Sequence, residues 1–167
     1  MHPITQLRPA TPSDAPTIIA GIDAICAEGG AFDTTRCVSA PAWEAVLFDP
    51  ETVPDHLLVI AAHDGRFAGP GRLFPGPVNS WCHYVVDLGL FVAAAYRRRG
   101  IGRQLMSTML DWAQQMGFEK VMLSAFASNV AALALFARFG FAEEGRRQRQ
   151  FKTGATYTDE VFLARFL

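Results

Sequence analysis

The chain has 167 residues, half of them hydrophobic, with a formal net charge of −1 and three cysteines. That is enough apolar material for one real core, so a single domain over residues 1–167 is expected, and three widely spaced cysteines argue against a disulfide framework. The charge is lopsided: residues 1–64 hold nine acids against Arg8 and Arg36, while residues 65–167 hold thirteen Lys and Arg against seven acids, so a polyanion would prefer the C-terminal part and a cation the N-terminal part.

His2, His56, His63 and His83 show no ligand spacing with Cys26, Cys37 or Cys82, so no metal site is expected. The N-terminus lacks the basic-then-apolar layout of a signal peptide, and no apolar run is long enough to span a bilayer. A soluble, cytoplasmic protein with no membrane partner is the expectation.

In chain order, residues 4–8 read as a short strand, and Pro12-Ser13-Asp14 offers a helix start. Ala15, Ile18, Ile19, Ile22 and Ile25 give that helix an apolar face up to Gly29-Gly30. Residues 31–40 are irregular, and a short helix over 41–48 turns Trp43, Val46 and Leu47 inward. The continuous apolar run 57–62 is a buried strand, and Asp64-Gly65 is a hairpin turn into a strand over 66–74. Pro70 argues for an edge or a bulge in that strand. A loop over 75–79 precedes the longest strand candidate, 81–92, with Gly89 as a candidate bulge. Leu105, Met109, Trp112 and Met116 recur at helical spacing from Ile101 to a stop at Gly117. A strand over 121–126 and a helix from Ser128-Asn129 to Gly140 follow. Strands over 141–152 and 157–167, joined at Thr153-Gly154, close the chain. This is a mixed α/β (α+β) pattern, with six to seven strands, about four helices, and antiparallel hairpins flanking a parallel crossover.

The most informative stretch is Tyr96-Arg97-Arg98-Arg99-Gly100-Ile101-Gly102-Arg103, where an apolar strand hands over to a helix. The first amides of a helix have no intrahelical partner and carry the positive end of its dipole. A strand, a basic glycine turn and a helix start together form a phosphate cradle. A P-loop needs Lys-Ser or Lys-Thr after its glycines, and none is present. A dinucleotide fingerprint needs a third glycine where Leu105 stands and an acid where Phe126 stands.

The residues Arg97-Arg98-Arg99-Gly100-Ile101-Gly102 match the Arg/Gln-x-x-Gly-x-Gly/Ala signature of the GNAT N-acetyltransferase superfamily. Asn129, Ala132, Leu135, Phe136, Phe139, Gly140 and Phe141 are similar to a second block of that family, and the opening from Leu7 to Ala15 resembles its first strand and helix. The C-terminal run through Lys152, Gly154, Tyr157, Asp159 and Glu160 resembles, more weakly, a bacterial subgroup that acetylates amino acids, small amines or protein amino groups.

The resemblance implies acetyl-CoA as cosubstrate and no metal. Backbone amides over Arg98, Arg99, Gly100, Ile101, Gly102 and Arg103 would hold the pyrophosphate, with the arginines, Arg97 among them, adding charge. Backbone groups of Leu90, Phe91 and Val92 would pair with the pantetheine arm like an added strand. Asn129 is either a helix cap or a pantetheine contact. Phe136 stands where many members carry a tyrosine that protonates the leaving thiolate, and it cannot donate a proton.

The chemistry is attack of a neutral amine on a thioester, and Asp87 is the acid best placed to accept the proton or position a water. A structural, hydrogen-bonded acid is the alternative. His83 would share the face of Asp87 if no bulge intervened, and it reads as structural. Water, Tyr84 or Tyr157 are candidates to replace the missing tyrosine, although Tyr157 reads more simply as a core aromatic. Phe32 and Asp33, in the acidic N-terminal region, are candidate acceptor-binding residues. The acceptor expected is a small-molecule amine or amino acid, with a protein amino group second. A catalytically weak acyl-CoA-binding module is a different class of reading. The basic residues cluster at one turn, which argues against nucleic acid. Oligomeric state stays open, a homodimer included.

Overall fold

The structure, a computed structural model, describes residues 4–28, 56–75 and 82–167. Its elements are β1 (Thr5–Pro9), a 3-10 turn (Pro12–Asp14), α1 (Ala15–Glu28), β2 (Leu57–His63), β3 (Arg66–Pro75), β4 (Val85–Leu90), a second 3-10 turn (Ala94–Tyr96), α2 (Ile101–Gln115), β5 (Lys120–Phe126), α3 (Val130–Arg138), β6 (Ala142–Thr153) and β7 (Thr156–Phe166). The expected helix over 41–48, together with Phe32, Asp33, Cys37 and Trp81, lies outside the described residues.

The entry to α1 is fixed by side chains. Thr11 and Asp14 form a capping box, the Thr11 amide donating to Asp14 Oδ2 at 2.8 Å. Arg8 grips the same carboxylate with both terminal nitrogens at 2.7 Å, which holds Asp14 well below the usual carboxylate range. The Asp64-Gly65 turn forms as expected, with positive φ at both residues (49° and 74°).

The strands make one seven-stranded sheet in the order β1-β2-β3-β4-β5-β7-β6. Its β4–β5 contact is parallel, with α2 as the crossover, and the other pairs are antiparallel. One face carries Val59, Leu73, Val86, Leu88, Val121 and Leu123, which pack with Leu105, Met106 and Met109 of α2. The other face carries Leu58 and Ile60, which pack with Ile18, Ile22 and Ile25 of α1 and with Phe91. Burying a side chain of this size contributes about 1.5–3 kcal/mol, so α2 and α1 fix the two faces of the sheet independently.

One expectation is resolved here between its alternatives, and two are corrected. β3 is the third strand of the sheet, so Pro70 is not at an edge. A bulge accommodates it: Ala61 faces Gly69 and Ala62 faces Phe67, leaving Ala68 as the extra residue. The strand expected over 81–92 is shorter, running from Val85 to Leu90, and His83 lies in the turn before it, off the face of Asp87. Gly89 is not a bulge, since it pairs with Arg72 in a regular β3–β4 register. β6 shifts register against β7 twice, between Glu143 and Gly145 and between Arg147 and Phe151; in the latter, Arg149 takes φ 51° and its amide donates to Asp159 Oδ1 at 2.8 Å.

Candidate functional site

β4 and β5 separate partway along. Val85, Val86 and Asp87 pair with Lys120, Val121 and Met122, after which β4 stays on β3 while β5 stays on β7 as far as Phe126 opposite Glu160. A gap therefore opens past Asp87, bordered on one side by residues 88–92. The Phe91 amide donates to the Pro70 carbonyl at 3.2 Å and the Ala93 amide to the Ala68 carbonyl at 2.8 Å. Successive amides of an extended chain point to opposite sides, so those of Leu90 and Val92 aim into the gap. The β3 carbonyls of Pro70 and Ala68 thus continue the regular β3–β4 spacing beyond Leu90. Gly69 completes the fit: it has φ 152°, and a Cβ there would overlap the Phe91 carbonyl oxygen.

The basic turn closes one end of the gap. Arg97 reaches back, its Nε donating to the Val92 carbonyl at 2.9 Å and its Nη2 to Glu28 at 2.7 Å. Arg98 is a non-glycine residue at φ 62°, and Gly100 follows at φ 81°. Gly100 caps α2 without any side-chain hydrogen bond, and its carbonyl accepts the first helical bond from Gln104 at 3.1 Å. The amides of Ile101, Gly102 and Arg103 thus precede the helical ladder and project from its positive end. Gly102 is a matter of space, since a Cβ there would sit 3.2 Å from Leu135 of α3 and 3.8 Å from Val92. Of the four arginines, Arg97 is tied to α1, and Arg99 lies 3.3 Å from His63 Nε2 and against the Tyr96 ring. Arg98 and Arg103 are exposed. His63 is buried, with Nδ1 2.8 Å from Thr5 Oγ1, so Nε2 serves as the acceptor for Arg99 when the ring proton sits on Nδ1.

At the other end of the gap stands Asp87, on the α1 side of the sheet. Its surroundings crowd the carboxyl although about a third of the side chain is open. Burial raises its pKa, and Arg72, 3.6 Å away, opposes the rise. Arg72 in turn lies over the Phe74 ring at 4.9 Å.

The remaining expected residues divide. Asn129 is a cap, its Oδ1 accepting from the Ala132 amide at 3.2 Å. Phe136 sits in the main core beside Phe141. Leu90 and Val92 are partly buried against that core, and Phe91 is buried on the α1 side. Tyr157 is not a core aromatic, being 43 % exposed beneath Arg149 and Lys152. Tyr84 is exposed too. Arg72, His63 and Glu28 are additions from the structure. Their partners are remote in sequence, and no local motif marks them. Among the described residues no cluster of metal-ligating side chains occurs.

Comparison with known proteins adds to this geometry. The sequence profile of the Acetyltransferase (GNAT) family matches residues 31–141. The N-alpha-acetyltransferase RimI of Mycobacterium tuberculosis is 32% identical over 132 residues, covering 72% of this chain and 79% of that protein. The bS18-alanine N-acetyltransferase of Salmonella typhimurium is 33% identical over 69 residues, 41% of this chain; that match spans about half (47%) of the relative's length. The structure of yncA, a putative acetyltransferase from Salmonella typhimurium with its cofactor acetyl-CoA, superposes with a TM-score of 0.87 at 18% identity, over 97% of this chain and 93% of that one. With a matched profile over well over half its length and the strand, turn and helix arranged as described, the chain belongs to the GNAT acetyltransferase family.

Proposed function

We propose that this protein transfers the acetyl group of acetyl-CoA to a primary amine of a small molecule or amino acid, by direct attack in a ternary complex. The observation that carries the reading is the continuity of one surface. A helix start with no side-chain cap, behind a basic turn, opens into a gap bordered by backbone amides, and the gap ends at a partly buried carboxylate. The donor set fits a coenzyme A thioester: fixed main-chain N–H groups for a diphosphate, and an extended strand edge for its amide-containing arm.

The amides of Ile101, Gly102 and Arg103, with the turn from Arg98 to Gly100, hold the pyrophosphate, and the exposed Arg98 and Arg103 side chains add charge. Leu90 and Val92 offer amides to the pantetheine arm. Phe91, its amide engaged by Pro70, anchors the segment in the core. Arg97 acts at one remove, by fixing the Val92 carbonyl. Asn129 has its carbonyl oxygen in the cap, so its amide nitrogen is the group left to reach the arm. Phe136 forms a wall of the cofactor site from within the core. Acetyl-CoA supplies a thioester whose carbonyl carbon bonds to the amine nitrogen as the C–S bond breaks, the electron pair leaving on sulfur as a thiolate that then takes a proton from solvent, while the amine gives up one proton. Asp87 accepts that proton from the amine, directly or through water. A thiol with pKa about 8.5 leaves tolerably as thiolate among donors, so Phe136 in place of tyrosine is compatible with turnover.

This reading needs no metal and places the protein in the cytoplasm, with neither membrane nor nucleic acid as partner. No helix among the described residues is long and apolar enough to cross a bilayer. Phe32 and Asp33 are assigned to the acceptor side, and an unchanged amine KM in Asp33→Ala would remove that assignment. The buried Phe136 carries a second reading, a binding module with little activity. Thiol release from acetyl-CoA across an amine panel, run beside calorimetry, separates the two. Turnover with at least one amine, and acetyl-CoA affinity lost in Gly102→Leu, is the expected result. Tight acetyl-CoA binding with no turnover on any amine overturns catalysis and favours the module.

A further inference from the structure

We propose that Arg72 anchors a carboxylate on the acceptor, so that the acceptor class is a free α-amino acid; this rests on the acetyl-transfer reading above. Arg72 stands opposite Gly89 in the β3–β4 register, and Phe74 opposite Asp87 lies two residues along on the same face. A Cβ at position 89 would come within 2.8 Å of Arg72 Nε, so the missing side chain is what lets the guanidinium cross β4. It comes to rest over the Phe74 ring with Nη2 3.6 Å from Asp87 Oδ1.

Two features suit this pair to a ligand. The guanidinium has five N–H donors, and its contact with Asp87 engages one nitrogen at a distance too long for a bidentate fork, which leaves donor capacity for a second carboxylate. The side chain is also 40% exposed while the ring beneath it limits its rotation, so it is held in place and still accessible. A cation beside an anion is the complement of a zwitterion. In an α-amino acid, carboxylate and amine are separated by one carbon, and placing the carboxylate on Arg72 brings the amine to Asp87, where the transfer needs it. A peptide N-terminus carries an amide in place of that carboxylate, and a simple amine carries nothing there, so neither satisfies Arg72.

The test is thiol release by the full chain with L-amino acids and with the corresponding amino-acid amides, which keep the amine and side chain and lack the charge. In the unaltered protein, kcat/KM for the acids is expected to exceed that for the amides by about tenfold or more. Arg72→Gln should raise the KM of the acids, leave the KM of acetyl-CoA unchanged, and bring the acid-to-amide ratio close to one. Arg72→Lys should restore part of the preference. Equal turnover of acids and amides by the unaltered protein overturns the proposal without touching acetyl transfer, and needs no variant that might misfold. A kcat loss in Arg72→Gln that is equal for both series, with a shifted pH profile, overturns it too and leaves Arg72 as a group that tunes Asp87. No turnover of either series, with acetyl-CoA still bound, overturns the proposal together with the catalytic reading.

Discussion

Two glycines with positive φ make a controlled comparison. At Gly100 a new Cβ would meet nothing within 4 Å, so alanine there costs only the left-handed backbone, about 1–2 kcal/mol. At Gly69 the backbone cost is accompanied by overlap with the Phe91 carbonyl oxygen, with the Phe91 carbonyl carbon at 3.0 Å and Val92 Cα at 3.1 Å. These are main-chain atoms, held by the Phe91–Pro70 and Ala93–Ala68 hydrogen bonds, so no rotamer change relieves the clash. Overpacking of this kind adds about 1–3 kcal/mol, for a total of about 2–5 kcal/mol. At roughly 2–4 °C per kcal/mol for a chain of this size, Gly69→Ala should lower Tm by about 5–15 °C and Gly100→Ala by less than half of that. Differential scanning calorimetry measures both. Because relief of the clash must move residues 91–93, Gly69→Ala should also raise the KM for acetyl-CoA. Equal Tm values for the two variants, or a destabilised Gly69→Ala with unaltered acetyl-CoA affinity, would refute the claim that Gly69 seats the border of the gap.

Arg97→Ala should raise the acetyl-CoA KM severalfold while moving Tm little, because its pair with Glu28 is half-exposed and such pairs contribute about 0–1 kcal/mol; steady-state kinetics with a thermal melt decides. Asp87→Asn should lower kcat by about 10²–10⁴, and in the unaltered enzyme the acid limb of kcat should lie above the ordinary carboxylate range, because burial raises the Asp87 pKa. A carboxyl whose folded pKa is raised gives its full stability below the unfolded pKa and loses it as pH rises through the folded value, so Asp87→Asn is expected to be more stable than the parent at pH 7 in chemical denaturation. Asp14 has the opposite sign: its pKa is lowered by Arg8 first and by Thr11 as well, so its contribution is present above about pH 4 and lost as pH falls below that. Asp14→Ala should cost about 1 kcal/mol at pH 7 and much less at pH 2, read from urea titrations at the two pH values.

Much of the fold was legible because it depends on neighbours in sequence. The apolar run of β2, the Asp64-Gly65 turn, the spacing of Leu105 and Met109 in α2, and the Pro12 to Asp14 helix start all carry their own signals. The turn from Arg97 to Gly102 was legible for the same reason. What escaped depends on register. Cys82, His83 and Tyr84 continue a strand-like pattern, and only the start of pairing at Val85 shows that they stand outside β4. Pro70 signalled a broken ladder, yet whether an edge or a bulge resolves it depends on the β2 partner. Gly89 looked like a local irregularity, while its cause is Arg72 on another strand. Arg97 was expected to add charge to the cradle, and its engagement by Glu28, 69 residues away, has no trace in the motif.

The outer strand β6 has a consequence for how copies of this chain behave together. An outermost ribbon with straight, unpaired backbone invites another molecule to add on to it. Here the ribbon kinks at Arg149, where Asp159 takes up a main-chain N–H, and Arg146, Arg147 and Lys152 stud its length with positive charge. Two such ribbons brought side by side would be out of step, with charged side chains along both. This rim of the sheet is therefore built to discourage aggregation by strand addition.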